Sequence, residues 1–162
     1  MQAVTTVNTP NNTKNFFPVG DGWVMKKVAM KASTAMVDGS AIGVEVVSNT
    51  TTGNATLMPA TNASGGNFIG ILAERIASTD ADYATAGKLK DVWVPTNINI
   101  ATAKFTVGAG TFTAVDVNKV VSFHSDSKSL AVDTQGAGAI ITSYIDSTTG
   151  TCVFDVAKTV TA

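Results

Sequence analysis

The residues with the most reactive side chains are His124 and Cys152, each of which is the only residue of its type in the chain. Ser125 and Asp126 follow His124 directly, so the three residue types of a hydrolytic triad stand together. Triads are assembled from separated positions, whereas neighbours on an extended strand point to opposite faces. We therefore interpret His124 as a polar residue that precedes a hairpin turn, and Cys152 as a small hydrophobe in a buried strand.

The sequence does not indicate a metal or phosphate site. Zinc requires three or four His or Cys ligands, and the chain has only two such residues. Asp80 and Asp82 are the best candidates for holding a weakly bound structural ion, but the further oxygen ligands of a calcium loop do not follow them. The glycine pairs precede no helical pattern, which a phosphate cradle requires. We expect a protein that is not an enzyme and that binds no cofactor and no metal.

Composition and charge exclude several classes of partner. Charged residues make up 14% of the 162 residues, against about 25% in a typical domain. Eleven basic and twelve acidic residues give a formal net charge of -1 without a basic cluster, which argues against direct nucleic-acid binding. No apolar segment is long enough to span a membrane, and the first residues do not resemble a secretory signal. A single cysteine excludes a disulfide within the chain.

Short segments rich in valine and threonine recur through residues 21–162, separated by turn signals such as Asp38–Gly39. About ten such segments predict an all-β domain, a single compact barrel or sandwich. We expect strands over 23–31 and 41–47, followed by a polar loop over 50–54. The aromatic residues Trp23, Tyr83 and Trp93 fall in or near these segments and are either core residues or the walls of a ligand groove.

A weak internal repeat accompanies this strand pattern. Shifting the chain by 73 positions aligns five identical residues, among them Val44 with Val117 and Leu57 with Leu130. The repeat predicts two similar β substructures.

Residues 1–20 differ from the rest of the chain. They carry a single charged side chain, Lys14, and their polar middle has no face that could be buried. We interpret them as an extended N-terminal arm that becomes ordered on a partner. The arm ends in Phe16-Phe17-Pro18. These residues either anchor the arm in a neighbouring subunit or cover the base of their own domain.

Several segments in the second half of the chain follow each other in an order known from one virus protein family. They are Val92-Trp-Val-Pro95, Ala103-Lys-Phe-Thr-Val-Gly-Ala-Gly110, Ala114-Val-Asp-Val-Asn-Lys-Val-Val-Ser-Phe123, Gly138-Ala-Ile-Ile-Thr-Ser-Tyr-Ile145 and Thr151-Cys-Val-Phe-Asp-Val156, with Ile69-Gly-Ile-Leu72 similar to the closing segment of the family. Over residues 23–157 the chain resembles the decoration, or cement, proteins of tailed bacteriophage capsids. It departs from the family pattern at Val117–Asn118, where the family has a glycine-aspartate pair, and in its longer arm.

The resemblance implies a β-tulip-like domain in a structural virion protein on the outer surface of the capsid. Such a protein binds the major capsid protein, joins adjacent capsomers and stabilises the icosahedral head against DNA pressure. The family also implies a homotrimer at three-fold and quasi-three-fold sites, with no contact to nucleic acid or membrane. We expect the contact with the shell or a neighbour to be made by residues of the arm: Asn12, Lys14, Phe16, Phe17 and Pro18.

A second interpretation also fits the residues. A phage fibre or spike module that binds host surface glycans would have the same β-rich composition. It would use exposed aromatic side chains, for which Trp23, Trp93 and Tyr83 are the candidates.

Overall fold

The computed structural model describes residues 15–48, 50–58, 68–96, 101–136 and 138–154. These residues form eleven strands and one short 3₁₀ turn at Ala114–Asp116, which confirms the predicted all-β, barrel-like fold. The strands are β1 (Phe17–Val19), β2 (Trp23–Met30), β3 (Ala41–Val47), β4 (Thr50–Leu57), β5 (Phe68–Leu72), β6 (Lys88–Pro95), β7 (Thr102–Ala109), β8 (Val120–Phe123), β9 (Leu130–Gln135), β10 (Ala139–Asp146) and β11 (Thr149–Phe154).

The first five long strands close into a barrel, which we call barrel 1, in the order β2-β4-β3-β5-β6. Neighbouring strands within barrel 1 are antiparallel, except that β2 and β4 run parallel and meet at Met30 and Ala55. The predicted polar loop over 50–54 is wrong, because Thr50 and Thr51 pair with Val47 and Val46 and extend β4 along β3. Thr50, Thr51 and Thr52 are polar but β-branched, so they suit a strand, and the loop prediction gave their polarity too much weight.

The last five strands form barrel 2, in the order β7-β11-β10-β8-β9. The ring closes through a parallel pairing of β7 with β9 at Val107 and Leu130. The short strand β1 adds to the same edge of β7 near its start, where Phe17 lies opposite Lys104 and Val19 opposite Thr102.

The two barrels share one topology. In chain order β2 to β6 correspond to β7 to β11, with the first and third strands of each set parallel and every other neighbouring pair antiparallel. The sequence repeat therefore pointed to a real duplication, but in the wrong register. The first strands start 79 residues apart, at 23 and 102, and the last start 61 apart, at 88 and 149. No single shift aligns both.

A shared aromatic core joins the barrels. Phe68 of barrel 1 stacks on Phe154 of barrel 2 with ring centroids 4.1 Å apart, and Trp23 meets the same Phe154 ring edge-on at 6.2 Å. Burial of each such ring contributes about 1.5–3 kcal/mol, so the barrels are held together as one hydrophobic body. A separate core fills barrel 1: Met30, Met36, Ile42, Ala55, Leu72, Ile76 and Val92.

The turn at Asp38–Gly39 holds Asn15 and Phe16 in place. Gly39 has φ +82°, and a Cβ there would lie 2.3 Å from the Asn15 Cβ, so only glycine fits. Asn15 donates a side-chain hydrogen bond to the Asp38 carbonyl at 2.6 Å, and the Phe16 N–H donates to the Gly39 carbonyl at 3.0 Å. Asn15 and Phe16 are thereby bound to barrel 1, whereas β1 itself pairs with β7 of barrel 2.

Candidate functional site

Phe16 is part of the protein's own core. Its side chain is 1% exposed and meets the rings of Phe123 at 5.9 Å and Phe154 at 5.4 Å, both edge-on. Of the two interpretations of the Phe16-Phe17 pair, the structure therefore supports the second for Phe16. A side chain enclosed in this way fastens the start of the described chain to its own domain and is not free to contact a neighbour.

The remaining predicted contact residues divide into two groups. Phe17 is 43% exposed and Pro18 is half-buried, both on β1. Asn12 and Lys14 lie outside the described residues. Proline has no N–H, so Pro18 fits an edge strand at a position where its partner, Ala103, takes no hydrogen bond from it. Among the described residues, the exposed side of β1, with Phe17 and Val19, is left to make the expected contact, and the prediction for Asn12 and Lys14 is untested.

Phe17 borders a shallow groove between β1 and barrel 1. The groove has a volume of about 240 Å³. It is lined mainly by apolar residues, among them Phe17, Pro18, Ile71, Leu72, Ala73 and Trp93. Met25 lies directly opposite Trp93 in the β2–β6 pairing and is 45% exposed. Phe17 and Trp93 border the same groove, and Met25 is the cross-strand neighbour of Trp93. We call these three residues the apolar patch.

Charged residues flank the apolar patch along β2. The Lys27 ammonium lies 2.9 Å from an Asp91 carboxylate oxygen and 3.7 Å from a Glu74 oxygen. The hydrogen bond to Asp91 is the main reason that the pKa of Lys27 is raised. The positive charge is thus neutralised locally, and the patch carries no strong field at its border.

The other aromatic candidates do not join the patch. Trp23 is buried between the barrels, and its indole N–H donates to the Thr102 carbonyl at 2.9 Å. Tyr83 packs against the core of barrel 1, with the Lys88 ammonium 5.7 Å from the centre of its ring. Trp93 alone of the three borders the groove.

The structure brings a serine, a histidine and an aspartate together, but not as a catalytic triad. In the β8–β9 turn, the Ser129 hydroxyl donates to both Asp126 carboxylate oxygens, at 2.8 and 2.9 Å, and Asp126 lies 3.3 Å from His124 Nδ1. A nucleophilic serine would instead donate to the histidine, and Ser129 is fully buried. Although burial favours the neutral acid, hydrogen bonds from the Lys128 N–H and Ser129 lower the pKa of Asp126. The cluster stabilises the turn.

Cys152 and the two candidate ion ligands also have structural roles. Cys152 is enclosed in barrel 2, where burial raises the pKa of its thiol. The Asp80 carboxylate accepts the Ala77 N–H at 2.8 Å, and Asp82 pairs with Lys90 at 3.2 Å. Among the residues that the structure describes, no three His, Cys, Asp or Glu side chains are grouped so that they could hold a metal ion.

A wider polar groove of about 740 Å³ lies on barrel 2, and no sequence pattern predicted it. Two of its lining residues, Asp116 and Lys119, pair with each other. Asp116 accepts hydrogen bonds from the Lys119 ammonium at 2.6 Å and the Thr113 N–H at 2.8 Å, and the Lys119 contact is the main reason that the pKa of Asp116 is lowered. These bonds hold the 3₁₀ turn in place.

In comparisons with known proteins, the sequence matches no family model and no curated protein is significantly similar to it. Within the described ranges, the chain contains no helix with the length and hydrophobicity needed to cross a membrane.

Proposed function

We propose that this protein is a capsid decoration protein of a tailed bacteriophage. It binds the outer surface of the major capsid protein shell, joins adjacent capsomers and stabilises the head. Its location is the outside of the virion, and its partners are the major capsid protein and further copies of itself in a trimer at three-fold and quasi-three-fold sites. The resemblance over residues 23–157 supports this assignment.

The observation that carries the proposal is the apolar patch beside the N-terminal segment. Trp93 and Met25 present partly exposed apolar side chains on the paired strands β6 and β2, and Phe17 presents one on β1 beside the same groove. Aromatic and methionine side chains are enriched in protein–protein interfaces, and a patch of this kind on a small protein marks an interaction surface.

The attachment of the N-terminal segment suits a protein that must resist an outward force. Phe16 is enclosed by Phe123 and Phe154, and β1 pairs with β7. A pull on residues 1–14 would be transmitted to the shared core of both barrels rather than peel a surface loop. Weak contacts repeated at symmetry-related sites then add up to firm retention on the shell.

Co-sedimentation with capsids that lack the protein tests this function. We expect binding to saturate at a fixed ratio, near one copy per major capsid protein or one trimer per three-fold site. Failure to bind any capsid from a range of tailed phages would contradict the proposal.

Variants of single exposed residues locate the contact. Phe17→Asp places a charge in the apolar patch, and we expect it to weaken capsid binding at least tenfold. Val115→Asp is the matched control, because Val115 is 78% exposed and lies on the 3₁₀ turn of barrel 2. Equal loss of binding in both variants, or in neither, would remove the apolar patch from the contact.

A glycan-binding fibre or spike module is the second candidate. The observation in its favour is the half-buried Trp93 beside the exposed Phe17 at the 240 Å³ groove, since aromatic faces are amphipathic contact surfaces. Binding to host cells or isolated surface glycans, with no binding to capsids, would favour this candidate. Trp93→Ala would then abolish the glycan binding.

A further inference from the structure

The polar groove on barrel 2 opens where β8 and β9 separate. Val121 pairs with Gln135, but the next residue of β8, Ser122, pairs with Ala131. Residues 132–134 of β9 therefore form a bulge that no residue of β8 opposes. Bulges of this kind redirect side chains and are over-represented next to active sites, so the groove beside this one is a candidate binding site.

The corresponding bulge in barrel 1 is filled by the protein's own side chains. In the shared topology β3 and β4 correspond to β8 and β9, and residues 52–54 of β4 lie opposite Glu45 of β3. The buried Glu45 carboxylate accepts the Thr52 hydroxyl at 2.6 Å and pairs with the Lys31 ammonium at 3.2 Å. The two copies of the fold thus differ, because barrel 1 has an ion pair at the bulge where barrel 2 has a groove of about 740 Å³.

Three polar side chains of the groove lining have hydrogen-bonding capacity to spare. In the part of the chain that the structure describes, the side-chain amides of Asn118 and Gln135 make no hydrogen bond. The Asp133 carboxylate accepts the Thr134 hydroxyl at 3.2 Å and pairs with no described cation. Two amides and a carboxylate are therefore available to a ligand in the groove.

The backbone holds these side chains in place. Asn118 has φ +75°, a left-handed conformation that asparagine tolerates, and its N–H donates to the Ile141 carbonyl at 2.8 Å. Gly110, just after β7, packs so closely on Asp133 that a Cβ there would lie 2.7 Å from the Asp133 nitrogen. The polar groups are thus presented by closely packed backbone.

The charges of the lining indicate an uncharged ligand. The lining contains the ammonium of Lys119 and the carboxylates of Asp116 and Asp133. Lys119 and Asp116 neutralise each other at 2.6 Å, so the charge that remains is the negative charge of Asp133. This charge disfavours phosphates, sulfates and nucleic acids, and one carboxylate provides too few ligands for a calcium ion.

The rest of the lining offers apolar contact. Val120, Val121 and Val132 line the groove, and the last two are buried. The groove volume of about 740 Å³ falls within the range of roughly 300–1,000 Å³ that is typical of small-molecule sites. Sugar hydroxyls both donate and accept hydrogen bonds, as the two amides do, and the C–H faces of a sugar ring are apolar. A saccharide therefore matches both parts of the lining.

The last described strand is directed away from the groove. Ile140 of β10 pairs with Val120, which lines the groove, and with Val153 of β11. The next residue of β11, Phe154, lies toward barrel 1, where its ring stacks on Phe68. This direction favours an external ligand in the groove over the residues that follow β11.

We propose that the polar groove of barrel 2 binds a neutral oligosaccharide. The amides of Asn118 and Gln135 and the carboxylate of Asp133 bond to sugar hydroxyls, and the valines contact the C–H faces. The inference goes beyond the capsid contact, which is assigned to the apolar patch. It is tested on the isolated protein, so that its failure leaves the capsid-binding experiment intact.

Nuclear magnetic resonance titration of the full chain tests the binding. The probes are neutral trisaccharides of glucose, of galactose and of N-acetylglucosamine. We expect at least one of them to shift the backbone amide resonances of Asn118, Lys119 and Gln135 until they saturate. Sialyllactose and a heparin tetrasaccharide are the charged comparison, and we expect them to bind at least tenfold more weakly.

Two variants locate the binding in the groove. Asn118→Gly removes an amide and keeps the positive φ, and Gln135→Ala removes the other amide from an exposed position. We expect each to weaken binding at least tenfold. Ser48→Gly, at another positive φ, and Ser125→Ala, in the β8–β9 turn, are the matched controls and should bind like the unaltered chain. Thermal unfolding of every variant checks that the barrels are intact.

Four results would overturn the proposal. They are no shift at the groove with any neutral trisaccharide, binding that both groove variants leave unchanged, tighter binding of the charged saccharides, or nuclear Overhauser contacts that show another segment of this chain inside the groove.

Discussion

Barrel 1 and barrel 2 have the same topology but differ in how each is closed. In barrel 2 the first strand, β7, has partners along both edges: β11 on one side, β1 and β9 on the other. Among the described residues of barrel 1, the first strand, β2, has a full partner in β6 and meets β4 at one residue, Met30. The outer side of β2 between Trp23 and Val28, the open edge of β2, therefore has no strand partner in the part of the chain that the structure describes.

The two barrels therefore contribute differently to the stability of the protein and to its exposed interaction surfaces. Barrel 2 contributes most of the buried aromatic rings, whereas the apolar patch and the open edge of β2 both lie on or beside barrel 1. Edges that stay exposed in soluble proteins are usually guarded by charge. Lys26 and Lys27 are both exposed on this strand, and Asp91 pairs with Lys27.

The largest expected effect on stability comes from the shared aromatic core that joins the barrels. Phe154→Ala removes a ring that contacts Phe16, Trp23, Phe68 and Phe123, so it should lower the free energy of unfolding by about 3–5 kcal/mol. Urea denaturation measures it. Ile42→Val, within barrel 1 alone, is the control and should cost about 0.5–1.5 kcal/mol. A Phe154→Ala cost no larger than that of the control would mean that the barrels do not depend on each other.

Alanine substitutions at two glycines compare how tightly the two barrels are packed. A Cβ on Gly70 of barrel 1 would clash with the Trp93 carbonyl oxygen, whereas a Cβ on Gly108 of barrel 2 would clash with the Ser129 hydroxyl and lie 2.6 Å from His124 Cγ. A backbone carbonyl in a ladder cannot move aside, whereas the Ser129 and His124 side chains can shift at the cost of their contacts with Asp126. We expect Gly70→Ala to cost about 2–3 kcal/mol and Gly108→Ala about 1–2 kcal/mol. The reverse order in thermal or urea unfolding would contradict the assigned contacts.

Barrel 1 should lose stability in acid, because an ion pair supports its closure. Glu45 on β3 accepts the Thr52 hydroxyl of β4 at 2.6 Å and lies 3.2 Å from the Lys31 ammonium, just after β2. Burial favours the neutral acid, but these bonds outweigh it and lower the pKa of Glu45. The stabilisation is therefore present above the unfolded pKa of about 4.3 and is lost as the pH falls through the folded pKa.

Glu45→Gln tests this dependence. At pH 7 the variant should be less stable by about 1 kcal/mol. In urea denaturation from pH 7 down to pH 3, the difference from the unaltered chain should shrink toward zero. A difference that stays constant with pH would show that Glu45 does not titrate as described.

The smallest effect is expected from the exposed member of the phenylalanine pair. Phe17→Ala should change the free energy of unfolding by less than about 1 kcal/mol, since the residue is already 43% exposed. Phe16→Ala, one residue earlier, should cost about 3–5 kcal/mol. Similar costs for the two variants would show that β1 is turned the other way.

Much of the strand pattern could be predicted from local sequence. The expected strands over 23–31 and 41–47 agree with β2 and β3, and Pro95 ends β6 as its missing N–H requires. The fate of Phe16 and Phe17 could not be predicted, because two identical residues carry no information about which one faces the core. Only the pairing of β1 with β7 decides it.

Local sequence patterns predicted neither the closure of barrel 1 nor the hydrogen bonds of the β8–β9 turn, for different reasons. The closure of barrel 1 depends on a single long-range pairing of Met30 with Ala55, which leaves no periodic signal. The hydrogen bond from Ser129 to Asp126 did have a local sequence signal, since an aspartate followed three residues later by a serine is typical of a turn. The sequence directed attention to Ser125 instead, because it stands beside His124.

Hydrogen exchange at the Met25 and Lys27 amides tests the central claim that the first strands of the two barrels differ in how their outer edges are covered. These amides should exchange rapidly, while the Lys104 amide, at the edge that β1 covers, should be protected. Strong protection of the Met25 and Lys27 amides, or rapid exchange at Lys104, would contradict the account.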